Sequence, residues 1–206
     1  MRLPTQLTVL RIALAAVFFV LFALVTPPKT EWAIAIFVVA SVTDWWDGHM
    51  ARKMNLTSSL GAFLDPLADK LLTGAAFIAF AWQGYIPWWM VIIVVLRDGY
   101  LTLFRLLADV QGLTVRTSYI AKVKTAVQMV FITVMLVALV AADGGLGLAL
   151  QSLARTIKDP ALLLWPMGIV TFLTAASAAL YTFDNWAALR TVVSRSLLRR
   201  PTQESI

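Results

Sequence analysis

Four aspartates sit where a bilayer is expected to run. Asp44 and Asp47 close an apolar stretch that begins near Trp32, and Asp65 and Asp69 open the next one. A carboxylate at the bilayer centre costs about 2.5–3.5 kcal/mol on insertion scales, so such residues mark chemistry or transport. At helical spacing Asp44, Asp47, Gly48, Ala51 and Arg52 share one face, while Trp45 and Trp46 point elsewhere. Gly61, Asp65 and Asp69 recur every fourth residue and form a second stripe. The intervening stretch from Lys53 to Leu60 is short, so two antiparallel helices are expected to bring the four carboxylates together. Carboxylates crowded in a dry pocket repel one another, so they are either protonated or held by cations. The chain has no Cys and one His, and oxygen-only ligands suit Mg²⁺ or Mn²⁺. Four aspartates are enough for two ions that share bridging carboxylates, an arrangement suited to phosphoryl transfer.

Plainer readings stand beside this one. Asp65 before Pro66 fits a helix N-cap with proline at the first helical position. Gly48, Ala51 and Gly61 fit small residues that let helices approach. Intramembrane carboxylates also fit a proton relay or a divalent-cation carrier or channel.

The elements that must position these groups are helices in a membrane. Of 206 residues 60% are hydrophobic and only 14% charged, well below the quarter usual in soluble domains. Mean hydropathy is +0.82. A spanning helix needs about 20 apolar residues, and candidates lie at 7–25, 32–52, 61–83, 87–108, 123–142 and 161–183. The pattern predicts an all-α integral membrane protein of six transmembrane helices, the first retained rather than cleaved as a signal peptide. Pro27-Pro28, the turn from Gly84 to Pro87 and the segment from Asp143 to Gly147 separate the spans. With a cytoplasmic N-terminus, all but Lys29, Arg155 and Lys158 of the 17 basic residues fall on or near the inner side, which predicts both termini in the cytoplasm. Trp82, Tyr85, Trp88 and Trp89 would then form an outer aromatic belt. Residues 1–185 make the membrane domain. Residues 186–206 form a basic tail in which Trp186, Leu189, Val193 and Leu197 share one side, as on a helix lying against an anionic leaflet. The net charge of +6 is assigned to that surface and not to nucleic acid.

From Asp44 to Asp69 the chain reads D-x2-D-G-x2-A-R-x8-G-x3-D-x3-D without departure. Eight such fixed positions match at a given start with a chance on the order of 10⁻¹⁰. The stretch resembles the signature of the CDP-alcohol phosphotransferase family. The resemblance implies a six-helix, dimeric membrane enzyme that moves a substituted phosphate from a CDP-linked donor to an alcohol and releases CMP. It also implies that Asp44, Asp47, Asp65 and Asp69 ligate two divalent cations on the donor pyrophosphate. Gly48, Ala51 and Gly61 would leave room for the cytidine, Arg52 would lie near the donor phosphates, and Asp69 would take the acceptor's proton. His49 falls at a variable motif position and is read as a bystander, and Lys70 as a structural or snorkelling residue.

The acceptor rests on other segments. LPTQLTVLR at the N-terminus and the tract from Leu96 to Met129 resemble the phosphatidylglycerophosphate synthases of that family. That likeness implies CDP-diacylglycerol as donor and glycerol 3-phosphate as acceptor, at the cytoplasmic face of the inner membrane. Asp98, where many of those enzymes have Glu, and Ala121, where they often have Gly, also suit the family's cardiolipin synthases, whose acceptor is phosphatidylglycerol. Arg97 and Arg105 lie eight residues apart on the fourth helix, and Lys122 and Lys124 open the fifth. These four are candidates for an acceptor phosphate. Asp98, as the i+1 neighbour, is not expected to face Arg97, so Arg97 is expected to need another partner.

Overall fold

The structure, a computed structural model, describes the backbone at residues 3–25, 30–54, 59–115, 119–142 and 159–198. Side chains are described at 8–25, 30–43, 68, 70–115, 123–142, 159 and 161–195. Helix α1 (Leu3–Phe19) runs into a π-helical turn (Val20–Leu24). Then follow α2 (Thr30–Met54), α3 (Ser59–Trp82), α4 (Trp88–Val110), α5 (Tyr119–Ala142), α6 (Pro160–Asp184) and α7 (Trp186–Leu198). No strand occurs among the described residues.

Local chemistry sets several of these boundaries. Helix α3 ends at a glycine with φ of 78°, a left-handed conformation that only Gly adopts without strain. There Gly84 N–H donates to Ala81 at 3.0 Å and Tyr85 N–H to Phe80 at 2.9 Å, the paired bonds of a Schellman cap. Helix α4 ends the same way at Gly112 (φ 68°), with Gly112 N–H on Asp109 and Leu113 N–H on Ala108. At the start of α6, Asp159 accepts from Ala161 N–H at 2.9 Å, with Pro160 at the first helical position. The Asp-Pro cap expected at Asp65-Pro66 is realised here instead. Helix α3 begins earlier, at Ser59, which puts Asp65 and Pro66 inside it.

Two helices among the described residues are long and apolar enough to cross a membrane, Val123–Ala142 and Ala161–Asp184. Thr8–Leu24, Thr30–Thr43 and Lys70–Trp82 are shorter apolar segments. Helix α4 is interrupted by Arg97, Asp98, Arg105 and Asp109 along its length. Trp82, Trp88 and Trp89 are exposed around the α3–α4 turn, and the first two rings meet edge to face at 6.4 Å.

The main core lies where α1 packs along both α2 and α3, and where α4 and α5 meet α6. In lipid there is little hydrophobic drive between helices, so small residues and close van der Waals contact must do the work. Ala33 and Ala40 of α2 and Ala76 and Ala79 of α3 are fully buried, which lets the backbones approach. Phe rings fill what remains: Phe18 contacts Phe22 at 5.8 Å and Phe37 at 5.6 Å, Phe22 meets Phe80 at 5.6 Å, and Phe77 stacks on Phe131 at 6.0 Å.

Helix α7 has a second apolar contact beside the expected stripe. Val192, outside the predicted stripe, is the residue buried, against Leu101, Phe104, Ala108 and Tyr181, with Ala188 and Leu189 beside it. Trp186 and Val193 of the stripe are about half exposed, and the Arg190 guanidinium lies 5.1 Å over the Trp186 ring. The reason is that α7 serves two surfaces: α4 takes one face, and the aromatic face remains outward. The side chain of Leu197 and residues 199–206 lie outside the described set.

Gln83 ties the α3–α4 turn to the π-helical turn, its Nε2 donating to Phe22 O at 2.9 Å and Ala23 O at 3.3 Å. Gln83→Leu removes the donor and leaves those part-buried carbonyls short of a partner. A loss of about 1–2 kcal/mol is expected in detergent unfolding, and an unchanged midpoint would show that the contact does not hold this corner.

Candidate active site

Consecutive helices carry the aspartate motif. Asp44, Asp47, Gly48, Ala51 and Arg52 lie in the last three turns of α2, and Gly61, Asp65 and Asp69 in the first three of α3. Asp47 and Asp65 are each about 10 Å of helical rise from the helix ends that residues 55–58 join. The backbone therefore brings both stripes to the same joined ends, on two helices that contact each other and pack on α1. The side chains of these eight residues, and that of Lys122, lie outside the described set.

Beside the motif, α4, α5 and α6 enclose a charged junction. Asp98 Oδ1 accepts from Arg97 Nη1 at 2.8 Å and forms an ion pair with Lys124 Nζ. Arg97 Nη2 donates to Ser177 Oγ at 2.6 Å. Ser177 in turn donates to Thr174 O at 2.9 Å. The cluster is enclosed: the side chains of Arg97, Asp98 and Lys124 are 9%, 8% and 0% exposed. A cavity of about 150 Å³ between α3 and α4 reaches it, with Lys70, Thr73 and Asp98 in its wall. Lys70, one residue beyond Asp69 and expected to be structural or snorkelling, thus shares a cavity with the buried Asp98 carboxylate.

The candidate acceptor residues divide into two groups. Arg97 and Lys124 meet on Asp98, whereas Arg105 lies with Tyr181. Its guanidinium sits 5.6 Å over the Tyr181 ring, and its Nε is 3.5 Å from the phenol oxygen. The expectation that Asp98 cannot face Arg97 is corrected here. Adjacent helical residues diverge at Cβ, but the long arginine side chain folds back to reach the short aspartate. The Lys124 ammonium, read as an open phosphate donor, is wholly enclosed and already engaged.

Sequence reasoning missed the roles of Asp98, Ser177 and Tyr181, and the burial of Arg11. Asp98 had a readable signal, a carboxylate in an apolar run between two arginines. Ser177 and Tyr181 are seven and three residues from the end of α6 and carry no local mark. Arg11 entered only the count of inner basic residues, yet it is 1% exposed on α1, one turn from the equally buried Thr8.

A helical membrane protein with this aspartate pattern and an enclosed cationic junction has the makings of a phosphotransferase. Residues 1–182 match the family described as CDP-alcohol phosphatidyltransferase, and the chain belongs to that family of membrane transferases. It is 34% identical over 203 residues to the CDP-diacylglycerol–glycerol-3-phosphate 3-phosphatidyltransferase of Bacillus subtilis (strain 168), covering 92% of this chain and 97% of that one. It is 38% identical over 133 residues to the protein of the same name in Escherichia coli (strain K12), covering 62% of this chain and 72% of that one. A putative cardiolipin synthase of Mycobacterium tuberculosis (strain ATCC 25618 / H37Rv) is 39% identical over 98 residues, 48% of this chain and 46% of that one.

Tyr181 joins α4, α6 and α7: its ring meets Phe104 edge to face at 6.0 Å, and its carbonyl accepts from Asn185 Nδ2 at 2.9 Å. Tyr181→Ala is expected to cost about 3–5 kcal/mol in detergent unfolding. Tyr181→Phe keeps the ring and should cost under about 1 kcal/mol. Equal losses would mean that the hydroxyl, not the packing, holds the junction.

Proposed function

We propose that this chain transfers the phosphatidyl group of CDP-diacylglycerol to glycerol 3-phosphate, giving phosphatidylglycerophosphate and CMP. The observation that carries the reading is the unbroken eight-position motif on α2 and α3 in a chain whose likeness to the B. subtilis enzyme runs nearly end to end. Cardiolipin synthesis with phosphatidylglycerol as acceptor is the second reading, favoured by Asp98 and by the mycobacterial relative, whose match covers about half of each chain. A divalent-cation carrier or channel fits the carboxylates alone but not the family.

The aspartates fit divalent cations, since their donor set is all oxygen and both pairs lie at joined helix ends. Asp44, Asp47, Asp65 and Asp69 would hold two ions, Mg²⁺ or Mn²⁺, which when bound would supply charge stabilisation at the transferring phosphoryl group. Gly48, Ala51 and Gly61 leave space for the cytidine, and Arg52 lies by the donor phosphates. Asp69 accepts the proton of the acceptor hydroxyl. That oxygen bonds in line to the donor β-phosphorus as the bond to CMP breaks. Arg97, Arg105, Lys122 and Lys124 attract the acceptor's phosphate, with Arg105 the outermost of the described three.

The chain works as a homodimer of six-span protomers in the bacterial inner membrane, with both termini and the site facing the cytoplasm. Residues 186–206 lie on the anionic leaflet, where exposed Trp186, Arg190 and Arg195 suit lipid headgroups and not nucleic acid.

CMP release in detergent with CDP-diacylglycerol and Mg²⁺ is expected with glycerol 3-phosphate and not with phosphatidylglycerol, and EDTA should abolish it. The reverse preference would make the chain a cardiolipin synthase, and Mg²⁺ uptake without turnover would favour the carrier. Asp69→Asn should drop turnover by at least about 10³-fold while metal-dependent CMP binding persists; turnover like that of the unaltered chain removes it as base. Gly48→Leu should block CMP binding without lowering the unfolding midpoint, and undiminished binding would clear that face of any role at the cytidine.

A further inference from the structure

Among the described residues, the junction of α4, α5 and α6 has buried donors that no acceptor there satisfies. Two cations, Arg97 and Lys124, converge on one oxygen, Asp98 Oδ1. The Arg97 Nε is buried with no hydrogen-bond partner, and so is Nε2 of Gln128, one turn from Lys124 on α5. Buried polar atoms without partners are rare and call for a reason. Both of these are N–H groups that an added acceptor oxygen would satisfy; the buried Thr174 Oγ1 on α6, also without a partner, can donate as well as accept. Among the described side chains of the junction, one carboxylate stands against two cations. Several oxygens on one anionic group would complete the set, and a phosphate offers them. A cavity of about 150 Å³ between α3 and α4 has Asp98 in its wall, with Lys70 and Thr73 beside it, and so reaches that carboxylate from the α3 side.

We propose that Asp98 is a stand-in: in the ligand-free protein its carboxylate occupies an oxyanion site made by Arg97 and Lys124, and the acceptor's phosphate takes its place when it binds. The inference rests on the proposed acceptor reading for its second half only. Asp98 is a positioning residue in this scheme. It keeps two cations charged and aimed in a membrane interior until substrate arrives, at the cost of competing with that substrate. A purely structural staple between α4 and α5 makes opposite predictions, because phosphate could not replace it.

The experiment compares the full-length chain with Asp98→Asn and Asp98→Glu in detergent. The unfolding midpoint is read in chloride and in inorganic phosphate at equal ionic strength. Asp98→Asn should be less stable than the unaltered chain in chloride and gain about 5 °C or more from phosphate beyond any gain of the unaltered chain. Asp98→Glu should behave like the unaltered chain. In turnover, Asp98→Asn should lower the KM for glycerol 3-phosphate by about tenfold, with the KM for CDP-diacylglycerol changed less than about threefold. A phosphate gain no larger than that of the unaltered chain, or an Asp98→Asn protein that cannot be recovered folded even in phosphate, overturns the stand-in. A phosphate gain with a raised or unchanged acceptor KM keeps the oxyanion site and overturns its assignment to the acceptor. Turnover of the unaltered chain with phosphatidylglycerol alone instead refutes the proposed acceptor, whatever the midpoints show.

Discussion

A charge placed among packed helices in a membrane must be matched where it sits, because no water is there to do it. Leaving one member of a buried pair unmatched costs about 3–5 kcal/mol. Asp98 answers this constraint for two cations at once. By doing so it connects α4 to α5 through Lys124 and, by way of Arg97 and Ser177, α4 to α6. The two helices that carry the cationic groups, and α6 packed on them, are thus held by the same contacts that keep those groups matched. Binding chemistry and bundle geometry are one arrangement here.

The other half of the molecule is assembled differently. Around α1 the contacts are alanine against backbone and phenylalanine against phenylalanine, with Ala33, Ala40, Ala76 and Ala79 fully buried. Such packing has little give, and it fixes the axial offset of α2 against α3 through their shared neighbour. That offset decides whether two stripes of aspartates on separate helices meet at one level. The buried Arg11 shows that even this apolar half carries charge on its central helix. The bundle is thus divided between a rigid apolar scaffold under the aspartate motif and a polar, ion-paired wall beside it.

Helix α7 adds to this wall beyond the end of α6. Its Val192 packs with Phe104 and Tyr181, and the Tyr181 ring lies against the Arg105 guanidinium. The outward Trp186 and Arg190 are free to meet headgroups. Contact thus runs without a break from α7 through Tyr181 to Arg105.

What could be read from the chain by itself is what short-range chemistry dictates. Asp44 to Asp69 form a local pattern, so their shared faces follow from helical geometry alone, and the family match agrees with the motif. The Gly84 turn is local too, since a left-handed residue closing a helix calls for glycine. The spans of α5 and α6 follow from apolar length. Three features needed the tertiary structure: the partner of Arg97, the enclosure of Lys124 and the buried face of α7. Arg97 and Ser177 are 80 residues apart, and Lys124 and Asp98 are 26 apart. Which helices adjoin depends on how small and large side chains interlock across the whole bundle. No hydropathy pattern encodes that. In the sequence Lys124 is one more positive charge at a helix start; only the packing of α4 against α5 and α6 makes it half of a buried ion pair.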